Sequence, residues 1–229
     1  MTTIGRVRLD NLQKEYSDRL LSVLTILLLI MLFVIAPFHA VGIRMFEAFG
    51  AIVALVMVAG VLVISASPTA TLVILAGFLL NVFVVIARLI RPLTYDLYLV
   101  AAAWLVIVCT LAVVVARTVF AQGHVTFHRI VGAVLLYLLI ALAFVSLFML
   151  VGLLVPNAFN GLVFEDNEKL ASNLIYFSFV TLTSTGYGDI YPVHPIARSL
   201  CNLETIIGQL YPATLLARLV TLEIEGRRR

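Results

Sequence analysis

Charge is scarce in this chain: Asp, Glu, Lys and Arg make up only 12% of its 229 residues, against 63% hydrophobic. With a mean hydropathy of +1.15, a soluble domain is excluded and an integral membrane protein is implied. Cysteine is nearly absent. Cys109 and Cys201 both sit in apolar runs and read as packing residues, so neither a disulfide framework nor a cysteine metal site is expected. Histidine offers no better metal site, because His124 and His128 have no third ligand near them in sequence. No small-x-small cleavage site follows the first apolar run, which is therefore expected to stay as a span. No nucleophile and base come together at membrane depth, which puts an enzyme last. No ligand-binding domain is expected after the last helix. The net charge of +3 is mostly terminal arginine and speaks of topology rather than of nucleic acid.

What the chain does have is a series of apolar runs approaching or exceeding the roughly 20 residues that cross hydrocarbon. Residues 1–19 are polar, with Ile4, Val7, Leu12 and Tyr16 at helical spacing, and suit a short amphipathic helix on the inner membrane surface. Spans are expected at 20–36, where Pro37 stops the helix, then at 46–64, 69–90, 97–115 and 129–155. Ser65 to Pro68 reads as a turn, and residues 116–128 as a polar link. An acidic loop over 156–171 leads to a half-helix at 172–183, too short to cross. A last long helix covers 196–224. The fold class is thus all-α integral membrane, with six transmembrane helices and a re-entrant pore helix and filter between the fifth and sixth. Its parts are an N-terminal segment (1–19), a four-span domain (20–116), a linker (117–128) and a pore domain (129–229). Ten of the fifteen basic residues then fall on the side of the termini, which favours cytoplasmic ends.

The informative stretch is Thr181-Leu182-Thr183-Ser184-Thr185-Gly186-Tyr187-Gly188-Asp189. Successive backbone carbonyls can replace the water shell of an ion only if they point one way. That needs some positions at positive φ, which Gly186 and Gly188 supply without steric cost. The nonamer resembles the potassium-channel signature T-x-T-T-V-G-Y-G-D. It matches at Thr181, Thr183, Gly186, Tyr187, Gly188 and Asp189, with Ser184 in place of Thr and Thr185 in place of Val. The resemblance implies a selectivity filter over Thr183–Asp189, with K+ at the carbonyls of Ser184, Thr185, Gly186 and Tyr187 and at the Ser184 hydroxyl. It also implies a homotetramer, since one chain supplies one of four filter segments, and a plasma-membrane location.

Around the filter the same resemblance makes Tyr176 and Phe177 the bracing aromatic pair, with Tyr176 donating to Asp189. Val180 stands where some bacterial members place a glutamate, so that carboxylate clamp is missing. Gly208 follows Gly188 by 20 positions, the place of the family's hinge glycine. Pro212 removes a helix bond. Gly208, Gln209, Pro212 and Leu216 form the candidate cavity and gate face, although Gly208 could equally serve close helix packing. Glu204, the acid within the body of that span, is a functional candidate by its position. It is expected either behind the filter as structural support or as a tuner of cation occupancy.

Six spans suggest the voltage-gated layout, but a sensor needs several arginines in the field. The fourth span has no Lys or Arg before Arg117, and Arg88 and Arg91 are placed at the outer end of the third, near Asp96 or Glu47. His194, past the filter, is a candidate for an outer-mouth proton sensor, and the basic C-terminal tail for anionic lipid. The leading reading is a passive potassium-selective channel. The alternatives are a weakly selective monovalent cation channel and a non-conducting membrane regulatory subunit.

Overall fold

A computed structural model describes residues 19–41, 68–90, 95–120, 127–165 and 168–227. The expectations placed on the N-terminal segment, the span at 46–64, the turn at 65–67, Glu47, Arg91, His124, Asp166 and the last two arginines lie outside the described residues.

The architecture is helical: α1 (residues 19–40), α2 (Pro68–Ile90), α3 (Asp96–Val119), α4 (Phe127–Leu154), α5 (Glu168–Leu182) and α6 (Pro195–Arg227). Among the described residues two short strands, β1 (Phe159–Asn160) and β2 (Tyr191–Pro192), pair antiparallel. Three stretches of the described residues are long and apolar enough to cross a membrane: Arg19–Phe38, Leu97–Val119 and Phe127–Leu154. A shorter apolar stretch, Thr71–Val84, lies in α2. α5, at 15 residues, reaches about 22 Å, less than the roughly 30 Å of hydrocarbon.

Pro37 does not stop α1, as the sequence suggested. The helix runs on to Ala40 because the preceding turn, Met31–Ile35, is π-helical, with the Ala36 N–H reaching back five residues to the Met31 carbonyl. The wider turn makes room for a ring that cannot donate and that would crowd the carbonyl four residues earlier. α3 outlasts its expected end by four residues, and α5 begins four residues before the expected Ser172. Helix ends of this kind are set by packing and capping, which periodicity alone does not fix.

Two apolar cores hold these elements. The first joins α1, α3 and α4 through Leu21, Leu28, Ile107, Leu111, Leu135 and Leu139. At the N-terminal end of α4, Ser22 Oγ meets His128 Nδ1 at 2.8 Å, and Thr25 Oγ1 donates to the Val131 carbonyl at 3.2 Å. Farther up, the rings of Phe33 and Phe179 lie 5.6 Å apart, so α1 touches the half-helix α5 directly. The second core is aromatic. Phe148 is the hub, with ring centroids 5.0 Å from Phe177 and 5.6 Å from Phe159, and Leu174, Ala197 and Cys201 close it. Within hydrocarbon such cores hold by close packing and hydrogen bonds rather than by expulsion of water.

Candidate functional site

α5 ends at Leu182, and the chain beyond it turns back against the helix it has just left. The Ser184 N–H donates to Thr181 O at 3.0 Å, and the Thr185 N–H to Val180 O at 2.9 Å. The Gly186 N–H reaches the same Val180 oxygen at 3.4 Å. Positive φ then occurs at every second residue: Ser184 at 58°, Gly186 at 61° and Gly188 at 83°. Alternating the sign of φ turns successive peptide units the same way, instead of the up–down alternation of a strand. With two of the N–H groups committed to Val180, the carbonyl edge is left for the other side. The two glycines adopt this geometry freely. Ser184 is a left-handed residue with a Cβ, and two side-chain contacts surround it. Gln209 Nε2 donates to Ser184 Oγ at 2.8 Å. Thr183 Oγ1 donates to Phe179 O at 2.6 Å and sits 2.8 Å from Thr185 Oγ1.

The outer end of this strip is tied down on two sides. Tyr176, exposed on α5, donates its hydroxyl to Asp189 Oδ1 at 3.0 Å, and its ring stacks with Tyr187 at 6.2 Å and an interplanar angle of 4°. Phe177 points the other way, buried in the aromatic core. The second tie is the strand pair, with Phe159 opposite Pro192 and Asn160 opposite Tyr191. Asn160 Nδ2 donates to the Tyr191 hydroxyl. Val193 N donates to Ala158 O at 2.9 Å. Gly161, with φ +83°, rests on the Asp189 carbonyl, where a Cβ would collide. His194 is half-buried at the start of α6, with its ring Nδ1 accepting from the Ile196 N–H at 3.3 Å.

Behind the strip, α6 is fastened to α5 at successive turns. Glu204 is fully buried, and its Oε1 lies 2.5 Å from Ser178 Oγ, which is also 2.9 Å from Ala141 O of α4. One hydroxyl hydrogen cannot serve both acceptors; the two contacts are hydrogen bonds together only when the carboxyl carries a proton on Oε1. Glu204 Oε2 has no hydrogen-bond partner. One residue on, Thr205 Oγ1 donates to Thr181 O at 3.3 Å. Gly208 is buried against the end of α5, where a Cβ would land on the Leu182 carbonyl oxygen. This is the packing role of the two open for Gly208: a close approach of backbones that only glycine permits. Farther along, Tyr211 donates its hydroxyl to Ala133 O of α4 at 2.8 Å and stacks on Tyr137 at 5.7 Å.

α6 continues as one helix through Pro212. Gln209, Pro212 and Leu216 lie exposed on it beside Leu203, Ile206 and Leu210. Glu204, Thr205 and Gln209 of α6 each bond to α5 or the strip beyond it. The residues that sequence reasoning passed over are Ser178, Thr205, Asn160 and Gly161. Ser178 carried a usable signal, a hydroxyl among apolar neighbours on a half-helix at membrane depth. Asn160 and Gly161 carried none, since their roles exist only through contact with residues some thirty positions away.

Among the described residues no cluster of three His, Cys, Asp or Glu side chains could hold a metal ion. The oxygens on offer are backbone carbonyls and hydroxyls, which suit a hard, weakly held cation rather than a resident metal.

Residues 132–224 match a family model described as "Ion channel". The chain is also similar to Protein LctB of Bacillus caldotenax, 34% identical over 56 residues. That alignment covers 24% of this chain and 41% of the relative. No solved structure matches the chain.

Proposed function

We propose, on the premise that residues 132–224 belong to the pore-loop superfamily of potassium channels, that this protein passively conducts K+ across the plasma membrane. The observation that carries the reading is the alternation of positive φ at Ser184, Gly186 and Gly188. With the Thr185 and Gly186 N–H groups turned back to Val180, it supports a ladder of carbonyls facing one way. Ions would be held at the carbonyls of Ser184, Thr185, Gly186 and Tyr187, with the Ser184 hydroxyl at the inner end and Gly188 and Asp189 at the mouth. A carbonyl ladder selects by replacing hydration, which needs four such segments around one axis. The working unit is therefore a homotetramer with its termini in the cytoplasm. The exposed face of α6 at Leu203, Ile206 and Leu210, together with the exposed strip Thr183–Asp189, is the surface that four copies would share. Gating belongs to the segment Gly208–Pro212, where the helix loses a backbone bond, or to the filter itself.

A relaxed-selectivity reading has two observations in its favour. Ser184 holds its positive φ without the γ-methyl that a threonine would pack, and Val180 offers no carboxylate behind the filter. The test is flux from purified protein in liposomes under a potassium gradient, with barium as blocker and Gly186→Ala as control. Barium-sensitive flux that favours K+ over Na+ and vanishes in the mutant is the expected result. Equal Na+ flux would replace the selective reading with the relaxed one. Absence of flux that persists in Gly208 and Pro212 variants would favour a non-conducting subunit.

A further inference from the structure

Between the first core and the half-helix lies a cavity of about 350 Å³, unrelated to the ion strip. It is walled by four elements: Leu32 of α1, Trp104 and Ile107 of α3, Leu142 and Met149 of α4, and Leu174 of α5. Its volume falls in the range of sites that take small organic ligands. The wall is almost wholly apolar. The hydroxyl that reaches it, Ser146 Oγ, is already donated within its own helix to Leu142 O at 3.3 Å. A void lined in this way gives water no set of partners, so water is not its occupant.

Depth and shape narrow the occupant further. On α4 the wall runs from Leu139 to Met149, about 15 Å along the axis, which is half of the roughly 30 Å hydrocarbon thickness. Its upper end is marked by Ala36, Leu97 and Leu170, the ends of α1, α3 and α5 nearest the ion strip's mouth. The lower end reaches Leu28 and Leu111 at mid-span. The cavity is thus a slot one leaflet deep, parallel to three helices that are themselves membrane-spanning in length and apolarity. Trp104 lines the slot and is itself 38% exposed, so its ring reaches from the slot to the outer surface of α3. The slot is therefore continuous with the lipid-facing surface.

We infer that this slot binds one acyl chain of a bilayer lipid from the leaflet on the filter-mouth side, seated against the back of α5. The chain enters past Trp104 and lies along Leu142, Leu174 and Met149, with its headgroup left at the level of Leu97 and Leu170. Because Leu174 is also in the aromatic core that supports Phe177, the lipid tail is part of the packing behind the filter. This inference rests on the membrane reading of the chain but not on its conduction.

The protein has one tryptophan, so Trp104 reports alone. Intact protein is reconstituted with a phosphatidylcholine carrying bromines on one acyl chain, and quenching of Trp104 is followed against mole fraction. Ala171→Phe, which fills the slot from α5, is measured beside it. Native mass spectrometry after detergent washing counts the lipids retained per chain. Saturable quenching at low mole fraction, with one retained lipid per chain and loss of both in Ala171→Phe, is the expected result. Quenching that only tracks bulk mole fraction and is unchanged in Ala171→Phe would mean boundary lipid and overturn the proposal. An unquenched Trp104 would mean that a second copy or another part of the protein covers the slot, and would overturn it equally. If Ala171→Phe does not fold, Ala101→Leu fills the same slot from α3 and is read in the same way.

Discussion

Gly208 of the last helix and Leu182 at the end of the half-helix touch backbone to backbone, with no room for a Cβ between them. Two helices that meet so closely inside hydrocarbon gain dispersion contacts along their length, and the approach depends on one missing methyl. Gly208→Ala is expected to destabilise the folded protein by roughly 1–3 kcal/mol, the usual range for overpacking. A thermal melt in detergent measures this. An unchanged midpoint would show that the two helices can part without loss.

Glu204 and Ser178 provide a sharper contrast, because the shape of the buried bond can be kept while the acid is removed. Glu204→Gln supplies an amide N–H where the carboxyl hydrogen would stand, and Ser178 can still donate to Ala141. This variant is expected to melt close to the native protein. Glu204→Leu leaves the Ser178 oxygen without a donor and is expected to cost about 1–3 kcal/mol. If the two variants lose the same stability, the proton-sharing geometry at Ser178 is wrong.

Gln209 reaches across to the Ser184 hydroxyl, so the inner helix fixes the rotamer of the innermost oxygen ligand proposed for the filter. Gln209→Leu and Ser184→Ala remove the two ends of one bond. Their effects on the K+/Na+ permeability ratio are therefore expected to be non-additive, with the double variant no worse than the worse single one. Bi-ionic reversal potentials measure the ratio. Strict additivity would separate the two residues functionally.

Tyr176→Phe keeps the ring that stacks on Tyr187 and removes only the hydroxyl donated to Asp189. The bond is solvent-exposed, so its loss is expected to cost no more than about 1 kcal/mol. That is enough to shorten the conducting lifetime of the filter several-fold. Time-resolved flux or single-channel dwell times measure the lifetime, and equal lifetimes would remove Tyr176 from the support of the mouth.

The half of this architecture that follows from local pattern could be read directly. Apolar runs located α2, α3 and α4 to within a few residues, because some twenty largely apolar side chains in a row allow little else. The stretch Thr183–Asp189 could be read because its glycines sit where positive φ is needed. The helix through Pro37 could not, since the compensating π turn is a backbone adjustment that leaves no mark in Met31–Ile35. Positive φ at Ser184 was hidden for a related reason: a serine there is held by its neighbours, not by its own preference. The sequence leaves two roles open for Glu204, structural support or tuning of cation occupancy, and its partner Ser178 does not stand out among the apolar residues of α5. The strand pair was invisible because residues as ordinary as Phe159 and Pro192 become partners only once the chain between them has folded back.

That strand pair gives the region a further property. Ala158 and Val193 are joined by a 2.9 Å hydrogen bond, so the chain between them leaves and returns at one point. A segment whose ends already meet can be lifted out and set into another scaffold without stretching either side. The half-helix and its strip therefore form a portable cassette, bounded at 158 and 193 and keyed to its host by Ser178, Leu182 and Thr181. A chimera that carries these residues into a different pair of long helices should keep its mouth intact wherever the host presents a glycine and a threonine three positions apart, as Thr205 and Gly208 stand here.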